Sequence, residues 1–372
     1  LIQPEAGKNI MRRFLFALLV FGATQIINAQ TQTPVDNLII ITTDGFRWQD
    51  VFTGMDSAIA VNKRFNEGDS AFIFNQYWDP DVKKRRARLL PFLWSTFSAN
   101  GQLYGNRLIG NNVDNSNPYW FSYPGYSEIF CGFVDTAINS NDYPNNPYTN
   151  LLEFIQEQIR IPGSVAAFCA WDAFNRILNE ERSHIPVVSG FEECGGSRPS
   201  PGEKLLNAMV KDSYKPWGKE ECLDVFTHYE AREYLKTKHP RVLYISYGET
   251  DEWAHAGRYK TYLNAAHQVD AWLKQLWVIL QSDPRYKDKT ALFVTVDHGR
   301  GDGEKWTSHG KSVEDSHEIW FGVLDPNIPA KGEVQGPMQV YQKQFAQTIA
   351  SLLGMRFSAE HPVAERIESV FK

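Results

Sequence analysis

The run "NLIIITTDG", residues 37–45, decides the fold. Leu38 to Ile41 are apolar without interruption and three of the four are β-branched, so the segment reads as a strand. A strand with one wet face would alternate polar with apolar residues. An unbroken run has both faces buried, as in a parallel sheet covered by helices. Four further runs share this character: "SVAAFCAWD" (164–172), "RVLYISYGETD" (241–251), "ALFVTVDHG" (291–299) and "IWFGVLDP" (319–326). Between them, residues 88–101, 150–159, 222–239, 262–283 and 340–354 carry apolar residues at helical spacing. Strands and helices in alternation predict an α/β protein: a three-layer α/β/α sandwich, doubly wound around a mostly parallel sheet. Polar stretches at 110–118, 139–149 and 189–217 read as surface loops, and nothing reads as a linker or repeat.

Composition sets the outer bounds. The chain has 372 residues, 42% hydrophobic, with a net charge of −6 and a pI of about 5.9. Nucleic-acid binding needs clustered Lys and Arg to displace counterions, and this balance argues against it. The one basic cluster, Lys83-Lys84-Arg85-Arg86, reads as the solvated start of a helix. Met11-Arg12-Arg13, the apolar run Phe14–Gly22 and a small residue at Ala29 read as a secretory signal. That run falls short of the roughly twenty residues a membrane span needs. Residues 1–29 are therefore expected to be upstream sequence plus signal peptide, leaving an exported, periplasmic or secreted protein of one domain, residues 30–372. No Cys follows the apolar run to take a lipid anchor. Export permits disulfides, and Cys194 with Cys222 brackets a loop-rich stretch that a staple would serve. Cys131 and Cys169 read as buried free thiols.

The ends of the strands carry the chemistry. Asp44 closes the first, Asp251 follows the third with His255 four residues on, and Asp297-His298 closes the fourth; His309 and His317 come shortly after. Ligands of α/β sheets bind at the carboxyl ends of the strands. Imidazole nitrogens and carboxylate oxygens together suit Zn²⁺, with Mn²⁺ or iron as alternatives. A helical turn after the third strand would bring Asp251 and His255 onto one face. One aspartate at a strand end is ordinarily a turn residue, and one D-x-x-x-H is ordinarily accident. Their recurrence at successive strand ends is not. His184, His228, His239, His267 and His361 lack such company and read as structural or surface residues.

With "IIITTDGFRW", "FSYPGYSEIFCG", "YGETDEWAH", "VTVDHGRG" and "TSHGKSVEDSHEIWF" in this order, the chain resembles the alkaline phosphatase superfamily, in particular its nucleotide pyrophosphatase/phosphodiesterase-like branch. The resemblance runs from about residue 37 to 324 and implies an alkaline phosphatase-like catalytic domain with two Zn²⁺. It implies that Asp251, His255 and His309 hold the first zinc, with His317 the runner-up to His309. Asp44, Asp297 and His298 would hold the second, beside Ser122. The branch's nucleophile is a Thr or Ser directly before an aromatic-proline pair, which selects Ser122 ahead of Tyr123-Pro124. Ser127 then falls inside the following helix as packing. Asn145 and Asn146, with Asn141 a third choice, stand for the asparagine that donates to the transferred oxygen.

A serine hydroxyl needs a base or a metal to become a nucleophile. A helix starting after Pro124 would turn its N-terminus toward an anion, and a two-metal site suits in-line displacement. The implied activity is hydrolysis of a small phosphate ester through a covalent phosphoseryl intermediate. Some monoesterases grip the phosphate with a Lys-x-Arg pair. Here Trp171 and Asp172 stand in the comparable "CAWDAFNR", which favours diesters or extended leaving groups. Arg47, Lys305 and Lys311 are other sources of charge; Trp48, Tyr119, Trp120 and Trp253 are aromatics that could face a leaving group. The alternatives are a phosphomonoesterase, a sulfate or phosphonate ester hydrolase, and a non-catalytic metal binder. Cys131 begins "CGFVD", which does not fit the C/S-x-P-x-R motif of sulfatases. A phosphoglycerate mutase would need an inserted second domain for which the chain is too short.

Overall fold

Strand β1, Asn37–Thr43, has all seven residues buried, as its unbroken apolar run requires. The computed structural model describes Leu1 and residues 33–372; the targeting segment expected at 11–29 lies outside the described residues. Residues 32–372 pack as one compact unit. After β1 come β2 (Gln102–Tyr104), β3 (Asn111–Asp114), β4 (Val165–Cys169), β5 (Val187–Ser189) and β6 (Val242–Tyr247). They are followed by β7 (Thr290–Thr295), β8 (Phe321–Leu324), β9 (Gly332–Glu333) and β10 (Met338–Tyr341). One sheet runs in the order β5-β4-β6-β1-β7-β8-β2-β9, with helices on both sides; β3 and β10 pair apart from it.

β1 lies between β6 and β7, parallel to both, with Thr43 opposite Tyr247 and Thr42 opposite Thr295. This register sets the carboxyl ends of the three strands side by side, and the site follows from it. The four residues Leu38 to Ile41 have no exposed surface. Each such side chain contributes about 1.5–3 kcal/mol relative to exposure.

The mostly parallel α/β/α sandwich is the expected one, with local differences. β8 runs antiparallel to β7, and β2 antiparallel to β8. The β7–β8 connection holds short 3₁₀ turns, Gly303–Thr307 and Glu314–His317, in place of a crossover helix, so the chain returns beside β7 in the opposite sense. Burial on both faces conceals that direction in the sequence. The stretch 110–118 includes β3. The stretch 189–217 includes the helix Pro201–Asp212, whose Ser200 cap, Pro201 and Glu203 form a capping box. Residues 88–101 are no single helix: the helix Val82–Leu89 ends before Pro91, and Asp270 accepts from Phe92 N and Leu93 N where the next turn begins.

Of the basic cluster, Lys83 and Lys84 are exposed, but Arg86 is buried. Its guanidinium pairs with Glu333 at 3.0 Å and lies 3.3 Å from the Trp94 ring centroid. All four cysteines are unpaired and buried. The staple suggested by position is not made: Cys194 bonds Asn207 in the main core, and Cys222 sits in a separate small cluster with Ala170, Val210 and Phe226. Among the described residues no helix is long and apolar enough to cross a membrane.

Candidate metal and catalytic site

Asp44 follows β1, Asp297 and His298 follow β7, and Asp251 with His255 sits on the helix Glu249–His255 directly after β6. Because β1 is central, all of them meet at one edge of the sheet. His298 Nε2 lies 3.3 Å from Asp44 Oδ1, 3.3 Å from Asp297 Oδ2 and 4.0 Å from Asp251 Oδ1. His298 Nδ1 is 2.9 Å from the Gly299 carbonyl, to which it donates, leaving the lone pair of Nε2 turned to the carboxylates. Gly45 N donates to Asp297 Oδ1 at 3.1 Å. Gly45 has φ +56°, and a Cβ there would stand 2.5 Å from Asp251 Oδ1, so this turn requires glycine.

The second group is Asp251, His255 and His309, whose ligand atoms lie within 4.8 Å of one another. His255 Nε2 is 2.9 Å from Asp251 Oδ2 and 3.0 Å from His309 Nε2. His309 Nδ1 is 3.2 Å from the Trp120 carbonyl, which orients its ring; the ring stacks on His298 with centroids 3.9 Å apart. Trp120 takes the left-handed φ of +54°, a strained conformation for a bulky residue, two positions before Ser122. Asp251 also belongs with Asp44 and His298 in a cluster of the same tightness, so it stands between the two groups.

Ser122 opens the helix Ser122–Cys131, and its Oγ is 3.4 Å from His298 Nε2. Gly125, one turn on, packs on the Asp297 backbone: a Cβ there would come within 3.0 Å of the Asp297 carbonyl carbon. The same helix carries Tyr126, whose hydroxyl donates to Asp44 Oδ2 at 2.9 Å. One helix thus places the candidate nucleophile, makes room for one candidate ligand and orients another.

The electrostatics ask for positive charge. Burial, and then repulsion from Asp251, pushes the Asp44 carboxyl well above its ordinary range. Burial, and then Asp44, does the same to Asp297. Burial would raise Asp251 as well, but Arg300, His255 and His309 outweigh it and hold it well below the usual range. Burial and His298 hold His309 well below the ordinary histidine value, so it is a neutral donor of a lone pair. Asp44 Oδ1 and Asp297 Oδ2 are buried without a hydrogen-bond partner among the described residues. An orphaned buried carboxylate oxygen is costly. A divalent cation between these oxygens and His298 Nε2 would satisfy both, so the residues present fit a metal.

The structure therefore brings together Asp44, Ser122, Asp251, His255, Asp297, His298 and His309. It does not bring the two asparagines. Asn145 is exposed and bonds Glu181, and Asn146 is buried against Ser127 Oγ and Cys131, behind the nucleophile's helix. Asn141 lines the cavity in front of Ser122, its Oδ1 accepting from Tyr123 N. His317 lies outside both clusters, with Nδ1 2.7 Å from the Glu314 carbonyl. Arg47 is buried on Asp50, and Lys305 and Lys311 are exposed; the cation lining the cavity is Arg176, from the same "CAWDAFNR". Trp171 is the indole that lines the cavity. Cys131 closes the helix as a buried thiol pushed up to about 12 by burial. Three contributors had gone unread: Tyr126, Arg176 and Arg300. Arg300 is fully buried and joins Asp251 to the carbonyls of Trp306 and Thr307. Its place beside Asp297-His298 was the available signal.

The sheet order, with metal-type groups at the ends of β6, β1 and β7, is the fold of the alkaline phosphatase superfamily. No protein-family model and no curated sequence matches the chain. Solved structures do. Wild-type alkaline phosphatase PafA superposes with a TM-score of 0.59 at 10% identity, over 91% of this chain and 100% of its own. The 2-O GAG sulfatase BT1596 gives 0.56 at 12%, over 90% and 74%. The lipoteichoic acid synthase LtaP of Listeria monocytogenes gives 0.55 at 12%, over 89% and 74%. At such identities the likeness is one of fold, and the reading of function rests on the site.

Proposed function

We propose that the protein is an exported phosphoric ester hydrolase of the nucleotide pyrophosphatase/phosphodiesterase-like kind, with Ser122 as nucleophile. One observation carries the reading. Ser122 Oγ stands 3.4 Å from His298 Nε2, which itself lies 3.3 Å from both Asp44 and Asp297. Asp44, Asp297 and His298, beside Ser122, would hold one zinc ion; Asp251, His255 and His309 would hold the other. Bound there, such ions neutralise phosphoryl oxygens and lower the pKa of the attacking hydroxyl or water.

The chain's own residues do the rest. The N-terminus of the helix Ser122–Cys131 faces the cavity and favours an anion there. The Ser122 oxygen attacks phosphorus in line, the ester oxygen leaves, and the phosphoryl group stays on Ser122 until water displaces it. Asn141, its Oδ1 fixed by Tyr123 N, has its amide nitrogen left to donate to a phosphoryl oxygen. Tyr126 keeps Asp44 oriented through the cycle. A cavity of 320 Å³ suits a small ester.

The test is hydrolysis of p-nitrophenyl phosphate and bis-p-nitrophenyl phosphate with and without chelator. Diester turnover above monoester turnover, abolished by chelation, is expected. Ser122→Ala should lower turnover by about a thousandfold or more. A zinc-loaded protein inert toward phosphate, phosphonate and sulfate esters refutes the reading. Full activity in Ser122→Ala would move the attack to another nucleophile.

A further inference from the structure

The cavity before Ser122 has a wall that a phosphate site does not call for. Beyond the metal-type residues it is lined by Asp142, Asp172, Glu220, Glu221 and Glu252. Arg176, the cation among them, already donates to the carbonyls of Tyr143 and Asn141. A cavity that takes an anionic ester gains nothing from further carboxylates unless the ester carries positive charge at its other end.

Glu221 is the pointed case. It is 8% exposed, it lines the cavity, and its Oε1 is buried without a hydrogen-bond partner among the described residues. Its backbone bridges to that of Trp171, so a carboxylate and an indole reach the same cavity from neighbouring strands of chain. An indole face beside desolvated acids is the setting that recognises an alkylammonium ion. The acids do not converge as metal ligands would. Among the described residues, the groups able to bring three ligand atoms within 4.8 Å are Asp251-His255-His309 and Asp44-Asp251-His298. Neither includes Glu220, Glu221, Glu252 or Asp172. Carboxylates spread around an aromatic ring fit a larger, softer cation than a divalent ion.

We propose that this wall binds an alkylammonium group of the substrate, so that the ester cleaved is an aminoalkyl or choline-type phosphate ester. The inference rests on the ester-hydrolase reading and names its substrate class. The phosphoryl group would meet Ser122 at the sheet edge while the ammonium group lies against Trp171, Glu221 and the exposed acids Asp172 and Glu220.

The test is calorimetric binding to the metal-loaded protein, which reads the wall without turnover. Phosphorylcholine is compared with 3,3-dimethylbutyl phosphate, which has the same shape and no positive charge. Phosphorylcholine should bind at least about tenfold more tightly. Glu221→Gln should bring the two affinities together. Asp172→Asn with Glu220→Gln, two exposed positions where folding is not at stake, should narrow the gap independently. Equal affinities in the wild-type protein overturn the proposal. So does an extra divalent ion that Glu221→Gln releases, without any preference for the ammonium compound. Ammonium preference with no hydrolysis of p-nitrophenyl phosphorylcholine would support this site and refute the hydrolase. Hydrolysis of p-nitrophenyl phosphate with equal affinities would do the reverse.

Discussion

Tyr126→Phe removes one oxygen atom and tests the metal site from behind. The hydroxyl donates to Asp44 Oδ2 at 2.9 Å, fully buried. The ring packs edge-on against Phe174 with centroids 4.6 Å apart, and phenylalanine keeps that packing. Asp44 Oδ1 already lacks a partner among the described residues, so the variant leaves both oxygens without a protein donor. A hydrogen bond to a charged group contributes about 1.5–3 kcal/mol. At about 1.4 kcal/mol per decade, that is about 10- to 150-fold in affinity for an ion held by Asp44. The figure agrees with the roughly 10- to 100-fold that outer partners of metal ligands contribute. The loss should deepen as pH falls. The Tyr126 hydrogen bond opposes the upward push of burial on Asp44, and without it protons compete more strongly for the carboxylate. Competition titration with a chromophoric chelator at two pH values measures both effects. Unchanged metal affinity in a variant that melts like the wild type would refute Asp44 as a ligand, or Tyr126 as the group that orients it.

Three further outcomes follow from the same geometry. Gly125→Ala in an open helix would gain about 1 kcal/mol of helix propensity, but here the new methyl meets the Asp297 backbone. A net loss of about 1–3 kcal/mol in urea unfolding is expected, and a net gain would show that the helix does not bear on that strand end. Asn141→Ala should lower kcat several-fold while Asn145→Ala leaves it alone; the reverse order would restore the assignment made from sequence. Metal-free protein should lose thermal stability between about pH 6.5 and 8.5, while zinc-loaded protein should not. In that window burial, with Asp251 or Asp44 next, keeps Asp44 and Asp297 protonated above their unfolded values, and Asp251 keeps His255 so. A raised folded pKa means stability lost as pH rises. Asp251 and His309, both lowered, add no slope there, because the unfolded chain has already released those protons. Calorimetry with chelator showing a rise over this window would contradict the sign.

Much of the site was legible because its residues stand at strand ends, and strand ends can be counted from unbroken apolar runs. Asp44, Asp297 and His298 needed only that rule. The D-x-x-x-H pair needed a helical turn after β6, which Glu249–His255 supplies. The asparagines failed for a plain reason. Residues 139–149 have no periodicity to fix a direction, so position along the chain could not say that Asn141 faces Ser122 while Asn146 turns to Ser127. The capping box at Ser200 was written in the sequence and passed over among polar neighbours.

By itself, the sequence determined a sheet buried on both faces, the three strand ends that bear ligand-type side chains and the helix start that bears Ser122. These are local properties, set by periodicity and by the few residue types that bind cations. Tertiary structure alone decided what meets what. Placing β1 between β6 and β7 makes one site of three separate ends. The fold of the β7–β8 connection carries His309 to Asp251 and turns His317 away. Glu221 reaches the cavity because its strand of chain bridges to Trp171, fifty residues earlier. Pairing across long loops depends on the sum of packing over the whole core, and no short stretch of sequence contains that sum.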